Sequence, residues 1–306
     1  MLTKKDFINY FQNKAPVKKW RNISIILFVL LIFALLPKQE VKNTSSKNSI
    51  LNVQSDCIAE VTIKGMILND TYREKVLGAI RDEPMVKALL INVDSPGGTV
   101  VDSEILYDTI KSISAIKPTV VLMGNSAASG GYMLSLGANH IIARNGTITG
   151  SIGVLAQTFE VTDLAKKVGV NFNIYKSSEL KGSPMPMEKT TEKIDMAMQS
   201  TINDIYEFFV NLVKENRKLT QDELNMVSNG QAFTGRQALK LKLIDEIGSR
   251  ETALNYFKEK GIDLKVVEVS LKEKYPMSIL EKMVGNVKNN VNFDTLINSK
   301  LMLLLN

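Results

Sequence analysis

The chain has 306 residues, 44% hydrophobic and 23% charged, enough to bury a sizeable core, which excludes disordered, collagen-like and disulfide-scaffold classes. A single cysteine, Cys57, rules out an intramolecular disulfide and a cysteine-cluster metal site; a single histidine, His140, rules out zinc sites needing two or more histidines. The net charge of +6 is concentrated in residues 1–22, where Lys4, Lys5, Lys14, Lys18, Lys19 and Arg21 face Asp6; that net +5 leaves +1 for the remainder, so no basic surface for nucleic acid is expected.

In chain order, the basic tail 1–22 runs into Ile23–Leu36, apolar except for Ser24 and closed by Pro37. Cations ahead of it and the lack of an amphipathic stripe predict a transmembrane signal anchor over 23–37. A cleaved signal peptide is the alternative, opposed by the absence of a small-x-small pattern in Phe33–Pro37. The basic flank predicts a cytoplasmic tail and a single-pass protein of the inner or plasma membrane whose later residues are extracytoplasmic, periplasmic or external. Residues 38–54 are polar and read as a linker, 55–270 as the folded domain, and 271–306 as a C-terminal segment that could form an oligomer contact.

The folded domain alternates strand-like and helix-like stretches. Cys57–Leu68, Val86–Val93, Pro118–Met123, His140–Ala143, Phe172–Tyr175 and Lys265–Val269 read as strands. Apolar spacing predicts helices over Thr71–Glu83, Val101–Ile113, Ser129–Ala138, 191–214, Asp222–Val227, Arg236–Leu241 and Glu251–Lys258. Short apolar strands separated by helices predict an α/β fold with a mostly parallel sheet.

Two glycine-rich turns follow predicted strands. Asp94-Ser95-Pro96-Gly97-Gly98 can aim backbone N–H groups at a developing oxyanion, or serve as an ordinary strand-to-helix turn. Gly124–Gly131 places Ser129 between two alanines and two glycines, where a hydroxyl can be exposed as at a nucleophile elbow; helix capping is the alternative. His140 opens the run His-Ile-Ile-Ala, which reads as a strand end rather than a partner of Ser129. Without histidine the remaining base is a lysine, which acts only when neutral and therefore buried away from carboxylates. Lys181 lies in a loop of small residues after a predicted strand, and Lys176 is the second candidate.

Asp-Ser-Pro-Gly-Gly at 94–98, Ala-Ala-Ser-Gly-Gly-Tyr at 127–132, Thr-Gly-Ser-Ile-Gly-Val at 149–154 and Phe-Thr-Gly-Arg-Gln-Ala at 233–238 occur in one order behind an apolar segment. Over 55–269 this closely resembles the signal peptide peptidase A family of serine-lysine membrane peptidases, in its short form. The resemblance implies a Clp-protease/crotonase-like fold of repeated ββα units, preceded by one transmembrane helix. It implies Ser129 as nucleophile, Lys181 as general base, Ser151 as the residue that orients the lysine amine, and an oxyanion hole from Gly97, Gly98 and Gly130. It further implies a homo-oligomer with the dyad shared between subunits, remnant signal peptides as substrates, and no cofactor. A crotonase-type acyl-CoA enzyme and a catalytically inactive membrane scaffold are the alternatives.

Overall fold

The structure, a computed structural model, describes residue 51 and residues 53–272. Three strands form its centre: β1 (Cys57–Lys64), β2 (Val86–Ser95) and β3 (Thr119–Ala128). Their apolar runs alternate between two covered faces, as strands buried on both sides must. On one face Ala59, Val61, Leu89, Ile91, Val121 and Met123 join a large core under α1 (Thr71–Asp82), α2 (Val100–Ser114), α3 (Gly130–Ser135) and α5 (Glu192–Arg217). On the other, Ile58, Ala88, Leu90, Val120 and Ile142 meet Ala253 and Phe257 of α8 (Arg250–Glu259).

Local chemistry sets the helix limits. Asp70 caps α1 by accepting from the Arg73 amide, and Val76, Leu77 and Ile80 form its buried stripe. At its other end the Lys117 ammonium donates to the Ile80 and Glu83 carbonyls at 2.7 and 2.6 Å, satisfying terminal acceptors the helix cannot. Thr191 caps α5, and capping boxes open α6 (Gln221–Val227), α7 (Gly235–Lys240) and α8.

The remaining strands are β4 (His140–Ala143), β5 (Ile148–Gly150), β6 (Ala232–Thr234), β7 (Glu246–Ile247) and β8 (Val266–Glu268). The main path runs β6-β5-β3-β2-β1-β8, with β4 pairing both β3 and β7, and every pairing is parallel except β5 with β6. A fork in β3 positions the site. Its first half pairs β4 (Val120 with His140) and its last three residues pair β5 (Ala128 with Gly150). Between them Val93 matches Met123 but Ser95 matches Ala127, so β3 uses four residues where β2 uses two. The surplus at Gly124–Ser126 forms a bulge whose Ser126 amide donates to the Asp94 carboxylate at 3.2 Å. Such a bulge re-aims the strand end, here residues 127–129.

Several expectations change. Phe172–Tyr175 is irregular chain outside any strand, with Phe172, Ile174 and Tyr175 exposed. Its alternation is strand-like, but a strand exists only with a ladder partner, and none is offered among the described residues. β5, β6 and β7, with two or three residues each, are too short to show a period. Helix α4 (Thr162–Lys167) was likewise not anticipated. A two-strand step precedes a helix only at β4 and β5; β1 to β3 each alternate with a single helix, and three helices, α4, α5 and α6, follow one another before β6, so the repeated ββα pattern appears only in part. No helix among the described residues is long and apolar enough to cross a membrane, and the anchor predicted over 23–37 lies outside them.

Candidate active site

Ser129 stands at the junction of β3 and α3 with φ 53° and ψ −121°, a backbone conformation that costs a non-glycine residue roughly 1–3 kcal/mol. Its surroundings hold it there. The Ser129 amide donates to the Gly150 carbonyl at 2.8 Å, and its carbonyl accepts from the Tyr132 and Met133 amides at 2.9 Å. Tyr132 is fully buried below, its hydroxyl donating to the Leu243 carbonyl at 2.9 Å; burial pushes its phenol pKa upward. Ser129 occupies the N-cap position of α3 yet makes no side-chain capping bond, which removes the capping alternative. Its hydroxyl is left without a hydrogen-bond partner among the described residues.

Two free amides lie beside it. A Cβ placed on Gly97 would sit 2.9 Å from both the Gly130 nitrogen and the Ser129 Cβ, and one on Gly130 would sit 3.3 Å from the Gly98 nitrogen. The turn 96–98 therefore packs against 129–130 backbone to backbone. Gly98 leaves no room for any side chain, because its Cβ would fall 1.9 Å from the Ile67 carbonyl oxygen. The N–H groups of Gly98 and Gly130 make no hydrogen bond among the described residues. The Gly97 amide, in contrast, donates to the Ser95 hydroxyl at 3.1 Å. The turn thus offers one amide, that of Gly98, while Gly97 contributes its φ of +108° and its lack of bulk. Sequence alone could not separate the two glycines, because the difference depends on where the Ser95 hydroxyl points.

Ser129, Ser151, Gly97, Gly98 and Gly130 line one cavity of about 540 Å³. Met66, Val100, Met133, Leu155 and Phe209 give it apolar walls. Ser151 also has a positive φ, 51°, its amide donating to the Gln231 carbonyl at 2.9 Å. The two later motifs buttress this arrangement. Thr149 Oγ1 donates to the Ala127 carbonyl at 2.7 Å, stitching β5 to the end of β3, and Phe233 on β6 lies against Gly150. Ser103 escaped the sequence reading. It is fully buried in α2, its hydroxyl donates to the Thr99 carbonyl at 2.7 Å, and a Cβ on Gly130 would be 2.1 Å from its Oγ. It therefore fills the space beside Gly130.

Lys181 is not among the residues lining that cavity. It lies in the turn-rich loop 177–187, exposed, its backbone amide donating to the Ser178 carbonyl at 3.1 Å and its ammonium free of partners among the described residues. Lys176, the second candidate, spends its ammonium on four acceptors, including both Glu188 oxygens at 2.7 Å. A lysine so engaged is a donor, not a base. His140 pairs in register with Val120, roughly 25 Å of strand away from Ser129. There it stacks on Tyr256 at 4.6 Å between ring centroids and contacts Glu246 at 3.2 Å, the strand-end role expected of it.

A mostly parallel sheet ending in a strained serine beside free amides is the arrangement of a serine-type peptidase with a Clp-protease-like fold, and comparison with known proteins points the same way. Residues 111–265 match Peptidase family S49 and residues 57–151 match Clp protease. A Synechocystis sp. protein named as a protease is 36% identical over 231 residues, covering 74% of this chain and 83% of that protein. An Enterococcus faecium protein named as signal peptide peptidase SppA is 30% identical over 288 residues, covering 82% of this chain and 84% of that one. Among solved structures, a mutant of the 1510-N membrane-bound stomatin-specific protease in complex with a substrate peptide is 18% identical, with a TM-score of 0.44 over 78% of this chain and 100% of that chain. The chain belongs to peptidase family S49 and is a serine-type peptidase. That membership favours neither the acyl-CoA enzyme nor the inactive scaffold.

Proposed function

We propose that this peptidase is a membrane-anchored endopeptidase in which Ser129 is acylated and Lys181 of a neighbouring copy is the base. The observation that carries this reading is the free, strained Ser129 hydroxyl beside the Gly98 and Gly130 amides in an apolar cavity. The lysine amine takes the Ser129 proton as Oγ attacks the peptide carbonyl carbon, and the two amides hold the resulting oxyanion. The lysine then gives its proton to the departing amine as the C–N bond breaks. Water, losing a proton to the same lysine, attacks the acyl carbon; the ester C–O bond breaks, and the lysine returns that proton to Ser129 Oγ. Ser151, on the wall of the same cavity, orients the lysine amine.

Sharing the dyad between copies is supported by two features. A lysine accepts a proton only when buried away from carboxylates, and Lys181 is exposed on a single chain. The segment carrying it, residues 154–190, also displays Leu155, Phe159, Leu164, Val168, Phe172 and Tyr175 to solvent, an apolar surface typical of a subunit contact. The apolar cavity walls suit remnant signal peptides and similar membrane-associated peptides as substrates. The anchor 23–37 would hold the chain in the inner or plasma membrane with its catalytic domain on the extracytoplasmic side. The test is hydrolysis of an apolar peptide by the full chain in detergent. Ser129→Ala and Lys181→Ala should each lower turnover by ~10²-fold or more, His140→Ala should retain it, and mixing the first two should restore part of it. A dead His140→Ala enzyme beside an active Lys181→Ala enzyme would overturn the reading.

A further inference from the structure

The loop that carries Lys181 has no backbone ladder to fix it, yet it is gathered around one ammonium. Lys176 Nζ donates to Glu188 Oε1 and Oε2 at 2.7 Å, to Ser183 Oγ at 2.8 Å and to the Glu179 carbonyl at 2.9 Å. The Ser183 hydroxyl lies 2.9 Å from Glu188 Oε2, closing the cluster. Positions 176, 179, 183 and 188 bracket Lys181 on both sides. The side chains of Lys176 and Glu188 are only 14% and 24% exposed, whereas Phe172, Ile174, Tyr175 and Leu180 of the same segment are open to solvent. A second tether joins it to the body of the protein. The Glu179 carboxylate accepts from Thr191 Oγ1, the N-cap of α5, and from Lys193 Nζ, both at 3.0 Å. The Val161 amide, donating to the Pro186 carbonyl at 2.8 Å, ties the far side to the start of α4.

We propose that the Lys176–Ser183–Glu188 clasp is a positioning device: it fixes the 177–187 loop so that Lys181 points outward in the orientation a neighbouring Ser129 requires. This rests on the shared dyad proposed above and extends it to residues that touch neither substrate nor nucleophile. Fixing a loop before docking matters because an error of about 1 Å in a catalytic group costs up to ~10²-fold in rate. A pair of oppositely charged groups at 2.7 Å, with a hydroxyl and a carbonyl taking up the remaining donor capacity, supplies a fixed geometry that turns alone do not.

The shared site lets the clasp be broken on one side at a time. Mixed full-length oligomers of Ser129→Ala and Lys181→Ala chains hold functional sites in which the Ser129→Ala chain donates the lysine. Adding Glu188→Gln to that chain should lower kcat about tenfold with KM unchanged, whereas adding it to the Lys181→Ala chain should change kcat less than twofold. Ser183→Ala, which removes a clasp partner without stranding a charge, should show the same asymmetry at about threefold if Glu188→Gln chains do not assemble. Equal loss from either placement overturns the positioning role and leaves the shared dyad intact. Absence of activity in the parent mixture, with exchange of subunits demonstrated, overturns the shared dyad and this proposal with it.

Discussion

The turns around Ser129 and the segment 154–190 follow opposite rules. Around Ser129 nearly every polar group is spoken for: buried Ser95, Thr147 and Thr149 hydroxyls all bond to backbone, and the Ile67 backbone at Gly98 and the Ser103 side chain at Gly130 leave no room for a side chain at either glycine. The groups left free, the Ser129 hydroxyl and two amides, are the ones the chemistry needs. In the segment, Leu155 and Tyr175 are 83% and 93% exposed and the chain has no ladder, while its polar groups bond mainly to one another. One region is finished within a single chain; the other has the composition of a buried surface without the burial. The proposed serine-lysine site, divided along this line, needs assembly before it can work.

The sharpest way to break that comparison is Gly98→Ala. Its methyl would meet the Ile67 carbonyl at 1.9 Å, so the turn must shift and carry its amide away from the oxyanion position. Turnover should fall by ~10²–10³-fold, the usual loss on removing an oxyanion donor, with a lowered Tm from the backbone clash. An active Gly98→Ala enzyme would show that this amide is not part of the site.

Next in size is a change at the exposed segment. Phe172→Asp with Tyr175→Asp alters residues outside both core clusters, 41% and 93% exposed in one chain, so the stability of the isolated fold should move by no more than about 1 kcal/mol. Assembly, followed by sedimentation, should be lost, and activity should fall ~10-fold or more with it, since charges in an apolar contact are left unpaired. Loss of activity with the oligomer intact would sink the division drawn here.

The legibility of the sequence follows the same division. Val86–Val93 and Thr71–Glu83 could be read because their burial comes from the same chain, so apolar spacing and structure agree. The candidate nucleophile was legible through its glycines, since close backbone approach leaves a mark in residue type. Phe172–Tyr175 was misread as a strand because its alternation has no ladder partner among the described residues. The Lys176–Glu188 pair, twelve residues apart on irregular chain, follows no period at all, and Ser103 shows its role only through the Gly130 backbone behind it.

The smallest expected effect compares carboxylates of the two regions under acid. In the body, Glu60 accepts from Arg250 Nη2 at 2.7 Å and from Asn92 Nδ2 at 2.9 Å, and these bonds, the Arg250 one foremost, hold its carboxyl below the usual range. In the segment, the Lys176 ammonium and then the Ser183 hydroxyl do the same for Glu188. A carboxyl depressed in the folded state stabilises above its unfolded pKa, about 4.3, and that stability is lost as pH falls through the folded value. Both contributions should therefore be constant from pH 8 to about 5 and fade below about 4. The consequences differ because the contacts do. Losing the Glu60 bonds loosens the first turn of α8 on the sheet, whose Ala253 and Phe257 belong to the core, so it should register in global unfolding, by no more than about 1 kcal/mol for a partly screened pair. Losing the Glu188 bonds opens only a loop, so it should register as faster protease nicking within 177–187 at unchanged Tm. Glu60→Gln should flatten the acid limb of the unfolding curve, and Glu188→Gln should make nicking fast at every pH. If Glu188→Gln lowers Tm as much as Glu60→Gln does, the segment is part of the cooperative fold and the comparison fails.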